Sequence, residues 1–222
     1  KDAMFDFFKT DLENNLICPH LFQSETSTGK AIALISPDSE RTFATYLGAA
    51  VELSENDIYQ GLFKGYDYFH IEGYLVQNHA LIKKAVKLAK ENHLKVSLDL
   101  ASYNVVAENL GFLQQIVKDY VDILFANEEE ARVFTGLNPN DAVNVISEMC
   151  EIAVVKVGKK GSLIKKGQQL EKVGIIGIDA LDTTGAGDLY AAGFLYGLIK
   201  EMPLSSCGKA GWRTTSASSS TA

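Results

Sequence analysis

The 222-residue chain has only three cysteines, four prolines and one tryptophan, and fewer basic side chains than acidic ones. Cys18, Cys150 and Cys207 lie far apart with no C-x-x-C pair, which excludes a disulfide framework or zinc knuckle and points to a reducing, cytoplasmic setting. Twenty-one lysines and arginines against 28 aspartates and glutamates leave a formal net charge of −7. That balance argues against a nucleic-acid partner gripped by a broad basic face, so any bound anion must be held locally. The longest run drawn from hydrophobic residues and glycine is Leu189 to Ile199, eleven residues where a membrane-spanning helix needs about twenty. His20, His70, His79 and His93 show neither H-x-x-x-H nor H-E-x-x-H, and they read as ordinary surface or core residues. Also missing are G-x-G-x-x-G after the first strand and G-x-x-x-x-G-K-[ST], the two common nucleotide loops.

What remains is the composition of a globular chain, 46% hydrophobic and 22% charged, long enough for one large or two small domains. The chain opens without a Met inside the helical pattern Phe5, Phe8, Leu12, Leu16, so it reads as a fragment of a longer protein. Ala31 to Ile35 and Arg41 to Leu47 flank Pro37-Asp38 and predict an antiparallel hairpin. Further on, the pattern predicts a short helix at 55–63 and a strand at 68–71. A helix at 79–91, a strand at 96–100, a helix near 105–120 and a strand at 123–126 follow. Helices around 128–135 and 141–150, a buried strand at 152–157 and short strands at 162–166, 169–173 and 175–178 complete the run, before a last helix at 188–200. Apolar strands alternating with helices predict a mainly parallel sheet covered on both faces, a Rossmann-like layered α/β fold whose ligands bind beyond the carboxyl ends of the strands. The serine- and threonine-rich end, 214–222, has no apolar periodicity and is set aside as a tail.

One motif carries chemistry. Asp182-Thr183-Thr184-Gly185-Ala186-Gly187-Asp188 is a loop of small residues that opens a helix, where unpaired backbone N–H groups and the helix dipole favour an anion without Lys or Arg. Asp188, in the first turn, is placed to accept a proton from a hydroxyl, and amides beside a carboxylate suggest phosphoryl transfer. The plainer alternative is a tight Gly-Ala-Gly turn with Asp188 as an ordinary N-cap.

At these residues the sequence resembles the ribokinase-like, or phosphofructokinase B, family of carbohydrate and nucleoside kinases, whose second signature runs Asp-Thr-x-Gly-Ala-Gly-Asp. Thr28-Gly29, Glu40-Arg41-Thr42 with Gly48-Ala49, the strand end His70 to Tyr74, Asn127-Glu128-Glu129-Glu130 and Lys156-x-Gly158-x-x-Gly161 follow the family's order, so the resemblance covers about 1–211. It implies a three-layer α/β/α ribokinase fold with a small β lid to which 22–50 contribute. The implied activity is ATP-dependent phosphorylation of an alcohol group of a sugar or nucleoside, in the manner of the adenosine-kinase-like branch. Asp188 resembles the base, and Gly185, Ala186 and Gly187 the anion hole. Arg41 resembles an arginine that reaches the transferring phosphate; an exposed strand arginine is the alternative. Asn127 and Glu130 match the pair that orders Mg2+ through water, although an acidic first helical turn would look the same. Lys156, Gly158 and Gly161 match nucleotide-side residues, with a simple hairpin turn as the alternative. Asp182 and Thr184 match positions that help hold K+ in potassium-activated members.

The family's Gly-Gly-x-x-x-Asn segment and early Asp find no match here, and 212–222 replaces its Ala-rich closing helix. A catalytically silent nucleotide- or sugar-binding module of the same fold is therefore a second expectation. The lid implies a homodimer.

Overall fold

In a computed structural model, short apolar runs bounded by caps and turns become the elements of the chain; residues 2–35, 41–175 and 185–219 are described, without the side chains of Ile35, Arg41 and 216–219. The chain divides into two compact units, 1–62 and 63–222.

In the first unit Asp2 caps helix α1 (Ala3–Asn14) by accepting from the Phe5 amide at 3.0 Å. The same carboxylate accepts from the amide and hydroxyl of Thr28 at 2.9 and 2.8 Å. The amide bond from Thr28 contributes most to lowering its pKa to about 2. The helix stops short of Leu16, the last residue of the predicted periodicity, which turns to φ 60°. Strands β1 (Lys30–Ile35) and β2 (Arg41–Tyr46) pair antiparallel from Lys30↔Tyr46 to Ile35↔Arg41, as the hairpin pattern predicts, with the turn at 36–40 outside the described residues. Ile32, Leu34, Phe43 and Tyr46 are all more than half exposed, and this apolar ribbon is what the expected pairing of two lids rests on. The helix predicted at 55–63 is instead two 3-10 turns, Glu55–Asp57 and Gln60–Phe63; Ser54 and Asp57 form a capping box that closes the first.

The second unit is a six-stranded sheet in sequence order. Its elements are β3 (Tyr68–Glu72), α2 (His79–Glu91), β4 (Lys95–Asp99), α3 (Tyr103–Glu108), α4 (Leu110–Tyr120), β5 (Ile123–Asn127), α5 (Glu128–Thr135), α6 (Pro139–Met149) and β6 (Ile152–Lys156), then β7 (Ser162–Lys166), β8 (Gln169–Val173), α7 (Ala186–Ile199) and α8 (Leu204–Ser219). β3 to β6 are parallel, and β7 and β8 add antiparallel at the end. Strands that step one way through right-handed crossovers put α2 to α6 on one face. On the other, α7 and α8 cover Ile123, Phe125, Ile152, Val154, Ile164 and Val173 with Tyr190, Phe194, Leu204 and Cys207. Each large side chain buried there contributes about 1.5–3 kcal/mol.

Two further sequence expectations need correction, and a third falls outside the described residues. The helix near 105–120 is two helices, because Asn109 folds its side-chain amide back onto the Val105 carbonyl at 3.0 Å and takes φ −119° between them. α7 is not the last helix. The supposed tail continues α8 through Trp212 to Ser219, with the Trp212 ring edge-on to Tyr190 at 4.8 Å and its indole N–H buried without a partner among the described residues. The strand predicted at 175–178 lies almost wholly outside the described residues.

Candidate active site

Each parallel strand ends on a polar residue, Glu72 on β3, Asp99 on β4, Asn127 on β5 and Lys156 on β6; β5 and β6 are apolar before it, whereas β3 and β4 carry His70 and Ser97 inside. The register sets Glu72 opposite Asp99 and Asn127 opposite Lys156, the second pair two residues further along because Asp99 faces Phe125, so the four polar side chains form a stepped row at the carboxyl edge of the sheet. His70 joins the row on β3. Its Nδ1 lies 2.8 Å from the Ser97 hydroxyl and its Nε2 3.7 Å from Glu72, a wired position rather than the ordinary one its spacing suggested.

The amino end of α7 meets this row. Gly185 is the N-cap in a left-handed conformation, φ 72°, with no side-chain cap, and the helix ladder begins only where the Leu189 amide bonds the Gly185 carbonyl at 2.9 Å. The amides of Gly185, Ala186, Gly187 and Asp188 thus have no partner within the helix. A Cβ placed on Gly187 would lie 3.2 Å from the Lys156 ammonium, which fixes how closely that charge approaches the first turn. Asp188 sits inside the first turn and Gly185, not Asp188, is the N-cap, which corrects that part of the plainer alternative. Burial raises its pKa first of all; the charges of Glu72 and Asp99 raise it further, against Lys156 and His70.

Asn127 and Glu130 close a capping box at the start of α5. The Asn127 Oδ1 accepts from the Glu129 and Glu130 amides at 2.9 Å, and the Glu130 carboxylate accepts from the Asn127 backbone amide at 2.8 Å and from its side-chain amide at 2.6 Å. Burial, with Glu130 only 2% exposed, pushes its pKa from 4.5 to about 7. The folded protein then holds this proton more tightly than the unfolded chain, so the stability the proton brings is complete below pH 4.5 and is lost as pH rises through about 7. Glu130→Gln, which cannot ionise, is expected to remove that slope, worth at most about 3 kcal/mol on top of any pH-independent cost. Urea unfolding at pH 5 and pH 8 measures it, and equal slopes in both proteins would show that Glu130 stays ionised on folding.

Among the described residues no three His, Cys, Asp or Glu side chains converge to hold a metal ion directly. The Glu130 carboxylate keeps a free lone pair on each oxygen and fits a magnesium ion held at a distance through water, whereas both lone pairs of the Asn127 Oδ1 are taken by the capping amides, so Asn127 serves to orient Glu130. Gly158 stands 4.0 Å from a Glu128 oxygen when given a Cβ, and Gly161 backs onto β8, so these two line the turn after β6. Asp182, Thr184 and the side chain of Arg41 lie outside the described residues. The structure thus brings together Asp188, Gly185 to Gly187 and Lys156, with Asn127 and Glu130 next along the row. Sequence reasoning gave no role to Asp99, His70 or Glu72; the available signal was a polar residue ending an otherwise apolar parallel strand.

A cavity of about 510 Å3 opens at the opposite, amino ends of the strands, among Tyr68, Lys95, Glu151 and Lys166. Lys95 and Lys166 both pair with Glu151, at 2.6 and 2.8 Å, so the charges lining this cavity are already paired with one another.

A family model described as pfkB family carbohydrate kinase matches 1–221. The chain is 28% identical over 192 residues to an uncharacterized sugar kinase of Archaeoglobus fulgidus, spanning 86% of this chain and 76% of that protein. It spans only 58% and 26% of two further curated relatives. Among solved structures, a probable sugar kinase of Rhizobium etli superposes with a TM-score of 0.90 at 30% identity, and the adenosine kinase of Sinorhizobium meliloti with 0.88 at 28%; each match covers 97% of this chain and 68% of the other.

Proposed function

The chain belongs to the pfkB family of carbohydrate kinases, and from that premise we propose that it carries the phosphotransfer site of an ATP-dependent sugar or nucleoside kinase. The observation that carries the reading is Asp188 in the first turn of α7, its pKa raised, beside backbone amides with no partner in their helix. An acceptor hydroxyl loses its proton to the Asp188 carboxylate as its oxygen attacks the γ-phosphorus in line, and ADP leaves. The amides of Gly185 to Gly187 hold the charge on the transferring group, to which the family resemblance would add Arg41. Glu130, oriented by Asn127, would hold magnesium through water, and the ion would neutralise charge on the nucleotide phosphates. Lys156, Gly158 and Gly161 form the nucleotide side, and Asp182 with Thr184 would hold a potassium ion. Little of the rate need come from covalent chemistry, since positioning and charge stabilisation supply most of it in this reaction class.

The likeness to the Sinorhizobium adenosine kinase favours a nucleoside acceptor. ADP release by the full protein with adenosine, inosine, ribose, fructose and ketodeoxygluconate is expected to be fastest with a nucleoside. Turnover with ribose or fructose and none with adenosine would overturn that preference, and no turnover with any acceptor would favour the silent module.

A further inference from the structure

Asp99 and Lys156, 57 residues apart in sequence, form an ion pair of 2.7 Å with side chains only 7% and 13% exposed. Such a pair is a poor source of stability, because removing two charges from water costs several kcal/mol each and apolar residues of the same volume do as well. Its location is more telling. The ammonium lies against Gly187, the second residue of α7, and the carboxylate is held in turn by a strained backbone. Ala101 takes φ 63°, unusual for a residue with a Cβ, while its amide donates to the Asp99 Oδ1 at 3.3 Å.

We propose that Asp99 is a positioning residue for phosphoryl transfer, holding the Lys156 ammonium beneath the amino end of α7 as a full positive charge presented to the anion bound there. This rests on the phosphotransferase reading and adds to it. The amides of α7 supply about half a charge; a fixed ammonium supplements them where the transferring group gathers negative charge. Free of Asp99, the Lys156 side chain would lose its place.

Asp188 reports the arrangement, since it is faced by Glu72 and His70 from β3, Asp99 from β4 and Lys156 from β6. Three variants of the full protein test the proposal: Asp99→Asn, Lys156→Met and the double variant. Asp99→Asn is expected to lower kcat by about tenfold or more and to bind a non-hydrolysable ATP analogue within about threefold of wild type by calorimetry. The unbalanced lysine should move the acidic limb of kcat/KM to lower pH, on the order of half a unit. Lys156→Met is expected to weaken analogue binding about tenfold and to lower kcat. The double variant, neutral at both positions, should return the limb to its wild-type place while its kcat falls no further than in Lys156→Met. An unmoved limb in Asp99→Asn, or an equal loss from Asp99→Asn with and without Lys156, would overturn the positioning role, since a merely structural carboxylate acts independently of the lysine. Wild-type kinetics in Asp99→Asn alongside an inactive Asp188→Asn would do the same and leave the kinase reading standing. The calorimetric arm needs no turnover and so stays informative whichever acceptor proves right.

Discussion

Asp188→Asn is expected to lower kcat by about 100-fold or more with the fold unchanged, the lower end of what a general base contributes. The substitution keeps the size of the side chain and its place in the first turn of α7, so what it removes is the ability to take a proton. A second signature accompanies the loss. Burial, then Glu72 and Asp99, raise the Asp188 carboxyl above the ordinary aspartate range, so wild-type kcat/KM should climb with pH through a limb displaced upward from that range, as the carboxyl ionises. The Asn variant, having nothing to ionise there, should be flat across it. Coupled ADP-release rates between about pH 4 and pH 8 read both effects. Turnover by Asp188→Asn near the wild-type rate would remove Asp188 as the base.

The largest expected loss of stability is at Gly161→Ala. Gly161 has φ 93°, and a Cβ there would stand 1.9 Å from the Val173 carbonyl oxygen and 2.8 Å from the Gly174 Cα. Both obstacles are backbone of or beside β8, whose Val173 is paired with Ser162, so neither can move without parting β7 from β8. Strain and overlap together should cost about 3 kcal/mol or more, a fall in Tm of roughly 6–12 °C for a chain of this size. Gly167 is the control. It too has positive φ, 55°, but nothing lies within 4 Å of an added Cβ, so Gly167→Ala should cost only about 1 kcal/mol. Thermal unfolding that shifted equally in the two variants would refute the crowding at Gly161. The requirement also bears on the nucleotide-side reading, because packing against β8 is reason enough for a glycine at 161.

The residues that sequence alone placed well are those whose roles are local. Apolar runs marked β5 and β6, because strands buried on both faces are mostly apolar, and the aromatic and β-branched residues of β3 and β4 marked those two. The small-residue loop before Asp188 marked the start of α7, because only a helix amino end leaves adjacent amides unpaired. What escaped depends on partners distant in the chain or on rules other than hydrophobic period. Asp99 acquires a role only when β4 and β6 bring Lys156 to it. Asn109 breaks a helix through one side-chain hydrogen bond that apolar spacing cannot register. The end of α8 was hard to see because much of its contact with α7, outside Trp212, is made by small residues: a Cβ on Gly193 would meet Ala210 and Thr214, and the Thr214 hydroxyl donates to the Leu189 or Ala210 carbonyl. A seam of glycine and threonine reads as low complexity and packs as a close helix crossing. Glu130 shows a further limit: its part in a capping box could be guessed from Asn127-x-x-Glu130, whereas the burial that pushes its pKa to about 7 could not.

Trp212 packs its ring against Tyr190, two residues beyond Asp188 on the same helix, and it is the only tryptophan in the chain. Its indole N–H is shut away from water and bonds to nothing among the described residues. The protein therefore carries an intrinsic optical reporter. Light absorbed selectively by indole is emitted from one known place on the α7–α8 seam, by a partly buried ring whose N–H is kept from water. Any rearrangement that tilts α7 as its amino end engages an anion changes the surroundings of that single emitter, and binding events at the carboxyl edge of the sheet acquire a label-free signal on the stopped-flow timescale.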